Sequence, residues 1–335
     1  MGKIKIAQIG LGHDHALWTL QSIIDNKEKF ELVGLAESNN QNMRKLNILN
    51  RDKKVKIITV EELLNMSDLQ AVAVETEEKK LAKYSIMFAE KGIAVHVDKP
   101  GSYSLSDFET LIETVKKSNS VFQIAYMYRY NPLIKDCIKK VKEGKLGEIF
   151  SIEAQMSICH PYKKREWLGN FKGGMMYFLG CHLIDLILQI QGEPEEIIPY
   201  NCNTQIDNLK NAEDFGFAVL KYKNGVSTVK TCAVEINGYN RRQLVVCGSK
   251  GTYEIKPLEI NEDTPSWLHS EAKITYENES IWNDKGEKIV SASFNRYDEM
   301  MNEFADIILG EADNPYTPEY ELKLFKTILM CCGRN

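Results

Sequence analysis

The stretch Gly10-Leu11-Gly12-His13-Asp14-His15 follows an Ile-rich apolar run, Lys3 to Ile9, and precedes a segment, Ala16 to Ile24, whose apolar residues recur at helical spacing. At such a strand-to-helix turn, Gly10 allows the backbone to fold tightly. Gly12 lets a pyrophosphate approach N–H groups at the positive end of the helix dipole. His13 and His15 complete the loop as candidate cofactor contacts, with His15 where a third glycine would favour close packing of helix on strand. About 25 residues past Gly12, Glu37 ends a second apolar run, Phe30 to Ala36, where a carboxylate accepts hydrogen bonds from an adenosine ribose diol. This chemistry favours NAD over NADP, because Ser38, Asn39, Asn40, Gln41 and Asn42 offer no cation for a 2′-phosphate and Arg44 falls on the next expected helix. Two plainer readings fit the same residues: a glycine turn that binds nothing, and a glutamate solvated at a strand end.

The elements that would position these groups alternate. Strand-like runs at Lys3 to Ile9, Phe30 to Ala36, Ala71 to Val74, Ile93 to Val97 and Val121 to Ala125 take turns with helical segments at Ala16 to Ile24, Asn42 to Leu49, Lys79 to Lys91 and Ser106 to Ser118. Lys56 to Val60 reads as a short extended piece and Glu61 to Met66 as a helical turn or two. That rhythm predicts parallel β-α-β units in a doubly wound α/β domain over residues 1–125. Residues 126–335 change character. Helical segments at Leu133 to Lys142 and Gly180 to Ile190 flank a strand at Glu148 to Ile158, and Phe215 to Tyr222, Val226 to Glu235, Gln243 to Cys247 and Gly251 to Ile255 follow as strands joined by turn signals. They predict an α/β second domain with an open, mostly antiparallel sheet, closed by helices at Tyr297 to Leu309 and Glu319 to Met330. A closing helix packed back on the first domain is compatible with this order.

Composition narrows the function classes. The 335 residues are 43% hydrophobic and 27% charged, which suits folded domains that bury their own cores. The 42 Lys and Arg against 47 Asp and Glu, net −5, leave no basic field to hold a nucleic acid. Eight cysteines without C-x-x-C spacing or a Cys/His cluster read as reduced, packed thiols, and no metal site is expected. The first residues lack a secretory apolar region, and the longest apolar stretch, Gly173 to Ile184, falls short of the roughly 18 residues of a membrane span. A cytoplasmic protein without a membrane partner is the expectation. One exposed face of the antiparallel sheet would favour a homodimer or homotetramer.

Three further stretches are more specific: Asp98-Lys99-Pro100 after a strand, Tyr126-Met127-Tyr128-Arg129-Tyr130-Asn131-Pro132, and Gly173-Gly174 followed by Gly180-Cys181-His182-Leu183-Ile184-Asp185. With the glycine loop, and in this order, they make the sequence resemble the Gfo/Idh/MocA oxidoreductases over essentially its whole length. The resemblance implies a Rossmann domain, a second α/β domain and NAD(P)-linked oxidation or reduction of sugars and polyols. It assigns Lys99 to the substrate hydroxyl, Asp98 to the nicotinamide side, Thr76 to the cofactor, and Arg129 and Asn131 to the substrate. The family's Glu-Lys-Pro appears as Asp98-Lys99-Pro100. Its Asp-x-x-x-His keeps His182 but has Phe178 four residues earlier, and its T-P-N-x-x-H loop keeps Thr76 but has Glu77, Glu78 and Leu81.

Histidine suits the hydroxyl proton, since its pKa near 6.5 lets it take and return a proton around neutrality, and a lysine can stabilise developing alkoxide charge. His182 and Lys99 are therefore the candidate catalytic pair. Tyr128 would stack on a sugar ring, or Tyr126, Tyr128 and Tyr130 alternate in and out along a strand. His160, Lys163, Lys164, Arg165 and Trp167 either border the substrate and select an anionic group or form a solvated loop. The leading expectation is an NAD-dependent sugar, inositol or polyol oxidoreductase. Its rivals are NAD-assisted glycoside cleavage and a catalytically impaired NAD and sugar binder, the last suggested by Phe178.

Overall fold

The run Ile4–Ile9 alternates little in burial because helices are laid on both faces of its sheet, as a parallel sheet requires. In the computed structural model, which describes residues 2–47, 55–261, 267–277 and 285–334, this run is β1 of a first unit comprising residues 2–126 and 297–323. The elements that follow are α1 (Ala16–Asp25), β2 (Phe30–Ala36), α2 (Asn40–Met43), α3 (Val60–Leu64), β3 (Ala71–Val74), α4 (Leu81–Ala89), β4 (Ala94–Val97), α5 (Leu105–Ser118) and β5 (Phe122–Ile124). All five strands are parallel, in the order β2-β1-β3-β4-β5. The extended piece at Lys56 to Ile58 adds one parallel bridge outside β2, Leu35 to Ile57, which supplies the outermost position of a Rossmann sheet. Val121 to Ala125 shrinks to three residues, and the expected helix Asn42 to Leu49 becomes α2 and a tight turn Arg44–Asn47, its last two residues lying outside the described ones.

The helix Asp298–Leu309 belongs to this unit. Its Met301, Phe304 and Ala305 share a core with Ile4, Ile6, Ile23 and Phe30. A second core cluster, Leu11, Ala16, Leu20 and Leu35, seats α1 against the sheet directly behind the glycine loop.

The second unit comprises residues 127–296 and 324–334. It runs α6 (Pro132–Lys142), β6 (Ile149–Ser157), α7 (Tyr162–Leu168), α8 (Cys181–Gln191), β7 (Glu196–Pro199), β8 (Phe215–Tyr222), β9 (Gly225–Cys232), β10 (Gln243–Gly248), β11 (Gly251–Ile255), β12 (Ile260–Asn261), β13 (Trp267–His269), β14 (Glu271–Tyr276), β15 (Glu287–Val290) and β16 (Phe294–Asn295). Eight strands form a mixed, mostly antiparallel sheet, β15-β14-β11-β10-β6-β9-β8-β7, with β6 and β9 parallel. The last helix, Pro318–Cys331, is shared between the two units' stretches of chain.

Three segments depart from expectation. Met127–Tyr130 is a buried helical turn, not an extended strand, so Tyr128 and Tyr130 do not alternate in and out. Tyr162–Leu168 is helical where a solvated loop was one reading. Met176–Gly180 is a single wide turn of π-helix leading into α8, a form sequence periodicity does not signal. Gly173 and Gly174 precede it at φ +93° and +40°. A Cβ at Gly173 would meet Cys332 Sγ at 2.3 Å and one at Gly174 the Glu213 carbonyl oxygen at 2.0 Å. That turn therefore serves packing. Among the described residues no helix is long and apolar enough to cross a membrane.

Candidate active site

The glycine loop is shaped by the segment after β3. Gly10 lies at φ +88°, and a Cβ there would stand 2.7 Å from Thr76 Cγ2. At Gly12 the close neighbour is Glu77, whose backbone N would lie 2.6 Å from an added Cβ, so this chain's own backbone requires glycine there, whether or not a pyrophosphate also approaches it. Gly10 N donates to Ala36 O (2.8 Å) and His13 N to Glu75 O (3.0 Å), tying the loop to β2 and β3.

Glu37 is held rather than solvated. Its Oε2 accepts from Leu11 N (2.8 Å) and Asn42 Nδ2 (3.1 Å), and its Oε1 from Asn39 N (2.7 Å). With Gly10, Asn39, Thr76, Lys80 and Tyr84 it lines a cleft of about 300 Å³ at the C-terminal ends of β1, β2 and β3. This is where open α/β sheets place ligands. The cleft suits an adenosine: a carboxylate at the end of β2, a glycine turn beside it and apolar walls from Ile9, Ile57 and Ile58. Lys80 brings in a cation that the residues after Glu37 lack, but its ammonium is 3.1 Å from Glu77 Oε2.

A second group of sequence-predicted residues meets at Asp98, fully buried after β4. Asp98 Oδ1 accepts from Lys99 N (2.7 Å) and lies 3.1 Å from His15 Nδ1, and Oδ2 lies 2.5 Å from His13 Nδ1. Burial alone would raise this carboxyl's pKa, yet the two histidines hold it well below the usual carboxylate range. Behind it sit two residues that sequence reasoning passed over, Glu75 at the end of β3 and His96 within β4. Burial and the charge of Asp98 push the pKa of Glu75 well above its ordinary value, which favours the protonated acid. His96 Nδ1 pairs with Gln123 Oε1 (2.8 Å) while its Nε2 is 4.0 Å from Glu75 Oε1, and burial lowers its pKa. The signal was present: a histidine inside the otherwise apolar run Ala94 to Val97, and a glutamate directly after Ala71 to Val74.

In the second unit His182 lies in the first turn of α8, buried, with its ring edge-on to Tyr128 at 5.0 Å between centroids. The Tyr128 hydroxyl donates to Glu259 Oε1 (2.6 Å) and accepts from Arg242 Nη1 (3.0 Å), and burial pushes its pKa far up. Tyr128 is thus a buried prop under His182, not an exposed stacking platform. Arg129 and Asn131 are corrected more sharply. Arg129 makes a two-pronged pair with Asp185 (Nε to Oδ2, 2.9 Å; Nη2 to Oδ1, 2.8 Å), buried from water. Asn131 caps α6 through Leu133 N (3.0 Å) and Ile134 N (3.3 Å), and its amide donates to Ser270 Oγ (2.7 Å) and Leu258 O (3.1 Å). Both are occupied in holding the fold.

His160 and Trp167 do come together, around Phe178, with ring centroids 6.1 and 5.4 Å from it. Lys164 lays its ammonium 3.6 Å from the Trp167 centroid and 4.4 Å from that of Phe178, a cation–π arrangement. Arg165 turns inward to Asp207 and Asp214.

Known proteins share this fold. Residues 4–126 match the oxidoreductase family with an NAD-binding Rossmann fold, and residues 135–254 match the GFO/IDH/MocA C-terminal domain. The chain belongs to the Gfo/Idh/MocA family. It is similar to the uncharacterized oxidoreductase YhhX of Escherichia coli (27% identity over 58% of this chain and 55% of that one) and to myo-inositol 2-dehydrogenase of Thermotoga maritima (24%, 57% of each). These matches span little more than half the length of the curated relatives. Among solved structures, the WlbA dehydrogenase of Bordetella pertussis, in complex with NADH and UDP-GlcNAcA, shares the fold with a TM-score of 0.79 at 14% identity, covering 99% of this chain and 96% of that one. An oxidoreductase of Thermotoga maritima does so with a TM-score of 0.78 at 18% identity, covering 99% and 96%.

Proposed function

We propose that this protein is an NAD-dependent oxidoreductase that moves a hydride between a nicotinamide and a hydroxyl-bearing carbon of a sugar, inositol or related polyol. The observation that carries the reading is Glu37, oriented by Leu11, Asn39 and Asn42 so that its carboxylate fronts the cleft beside Gly10 and Thr76. A carboxylate there accepts from a ribose diol and repels a 2′-phosphate, which favours NAD over NADP. When bound, the nicotinamide supplies the hydride acceptor or donor. The chain's own groups then handle the proton: His182 takes and returns it, and the Lys99 ammonium stabilises charge on the reacting oxygen, roles carried by the family resemblance. Myo-inositol 2-dehydrogenase among the relatives, and the nucleotide sugar bound in the WlbA structure, support a polyhydroxylated substrate.

Fluorescence titration with NADH and NADPH, followed by a sugar and polyol panel under the preferred cofactor, tests this. Tighter binding of NADH with substrate-dependent NADH formation is the expected result; no binding of either nucleotide overturns it. A second reading, a cofactor and sugar binder with impaired turnover, is favoured by Phe178, whose ring packs with Leu168, Met175 and Ala233 and offers no carboxylate to His182. Nucleotide binding without turnover across the panel selects it. We also infer a homodimer or homotetramer, supported by the exposed Phe150, Ile198, Val226, Tyr276 and Val290 on strands of the eight-stranded sheet. A monomer mass from light scattering removes that inference.

A further inference from the structure

Three side chains, His13, His15 and Asp98, bring their ligand atoms within 4.8 Å of one another, an arrangement that metal sites and hydrogen-bonded acid–base dyads share. The distances choose between them. Ligands on a tetrahedral zinc, each at about 2.0–2.1 Å, stand roughly 3.3 Å apart. His13 Nδ1 and Asp98 Oδ2 are 2.5 Å apart, too close for two ligands of one such ion, and the His15 Nδ1 to Asp98 Oδ1 distance of 3.1 Å is that of a hydrogen bond.

Within this cluster His15 is different. Asp98, Glu75, His13 and His96 are shut off from solvent, whereas the His15 side chain keeps 18% of its surface. Its Nδ1 faces Asp98 Oδ1 at 3.1 Å, which fixes the tautomer with hydrogen on Nδ1 and leaves a lone pair on Nε2, at the opposite edge of the ring. His15 also stands at the N-terminus of α1, where no side chain caps the helix and its first turn carries no acid. This end of α1 belongs to the phosphate and nicotinamide half of a bound dinucleotide, since Glu37 takes the adenosine half.

We propose that His15, oriented by Asp98, is a second acid–base group of the first unit, whose Nε2 accepts and returns the proton of a hydroxyl bound at the N-terminus of α1. The proposal rests on the dehydrogenase reading above. The hydroxyl comes either from the cofactor's nicotinamide ribose or from the substrate. In the step an O–H bond breaks and an Nε2–H bond forms, the electron pair stays on oxygen, and Asp98 remains a carboxylate opposite the imidazolium. The groups that set its protonation are Asp98 and Lys99 after β4, His13 in the same loop, and behind Asp98 the acid Glu75 and His96; Glu78 faces His13, and Tyr297 at the start of the closing helix presents only its ring to His15. Burial lowers the His15 pKa more than Asp98 raises it, and His13 and Lys99 lower it further, so the ring is a neutral base at physiological pH.

The test uses the full chain with histidines labelled by ¹⁵N and the His15 signals assigned by loss in His15→Gln. Expected is a single Nδ1-protonated tautomer titrating below pH 6.5. NADH alone shifts its Nε2 resonance if the ribose hydroxyl is the partner, and only NADH with a polyol shifts it if the substrate is. A ring that samples both tautomers and titrates normally, or one indifferent to both ligands while NADH fluorescence shows binding, overturns the proposal. NADH failing to bind the parent protein overturns the dehydrogenase reading instead, and leaves the tautomer measurement standing on its own. In turnover, His15→Ala lowers kcat by about 10²–10⁴-fold and is partly restored by added imidazole, while the acidic limb belonging to His182 persists. An unchanged kcat, or a fall that imidazole does not rescue, rejects the proposal, as does Co²⁺ binding at one equivalent with a visible spectrum that His15→Gln abolishes, which assigns the cluster to a metal.

Discussion

Both units bury charged groups, but they treat them differently. In the second unit the buried charges are matched. Arg129 meets Asp185 with both prongs, and Glu259 is shared by Arg242, Arg296 and the Tyr128 hydroxyl, so that despite full burial its pKa is lowered. In the first unit the polar cluster around Asp98 is left short of partners. Both carboxyl oxygens of Glu75 and the Nε2 atoms of His13 and His96 are buried without a hydrogen bond. A saturated network holds a fold together; an unsaturated one next to a ligand cleft has protons to move. Partner geometry thus separates the buried charges that hold the second unit from the Asp98 cluster to which proton chemistry is proposed in the first.

Breaking the matched network should produce the largest effect. Arg129→Met strands the Asp185 carboxylate in the core and should cost about 3–5 kcal/mol in urea unfolding, while the NADH affinity of folded protein is unchanged. A loss under 1 kcal/mol would return Arg129 to the substrate role that the resemblance implies. Glu37→Ala comes next. It should weaken NADH binding by about 1–3 kcal/mol, roughly 5- to 150-fold, with little change in unfolding midpoint; equal binding by titration would empty the cleft of its assigned role.

Glu75→Gln sharpens the contrast through pH. The folded pKa of Glu75 is raised above its ordinary 4.5, so its stabilising contribution is complete below about 4.5 and is lost as pH rises through the folded value. The amide keeps a donor and does not titrate, so the variant should gain on the parent as pH rises above about 4.5, with Tm higher by about 2–4 °C per kcal/mol. His15 and His96 act with the opposite sign. Their pKa values are lowered by burial, so their contribution is present above about 6.5 and fades as pH falls below it. The smallest expected effect is Lys164→Met, which removes the ammonium from Trp167 and Phe178 and should cost about 0.5–1 kcal/mol. If it also raises KM for anionic sugars alone, Lys164 is a substrate contact.

Much of the first unit was legible because its strands are buried on both faces. Ala71 to Val74 reads as an unbroken apolar run and Ile93 to Val97 as one interrupted only by His96, and the glycine loop with Glu37 marks the strand ends where a dinucleotide is proposed to bind. The second unit was less legible. Strands as short as Ile260–Asn261 and Trp267–His269 carry too few residues for a period-two pattern. Arg129 and Asn131 were misplaced because a polar side chain looks the same in sequence whether it meets a ligand or its own Asp185 and Ser270.

What the sequence determined by itself was the order of elements, the glycine turn and the carboxylate that ends β2, since these depend on local spacing and on side-chain size. Only the tertiary structure decided that Asp98 gathers His13 and His15, that the pKa of Glu75 is raised beside it, and that Gly12 packs against Glu77. Those outcomes depend on groups more than 20 residues apart meeting in a space from which water is excluded, where Coulomb and hydrogen-bond energies set protonation and no local pattern records it.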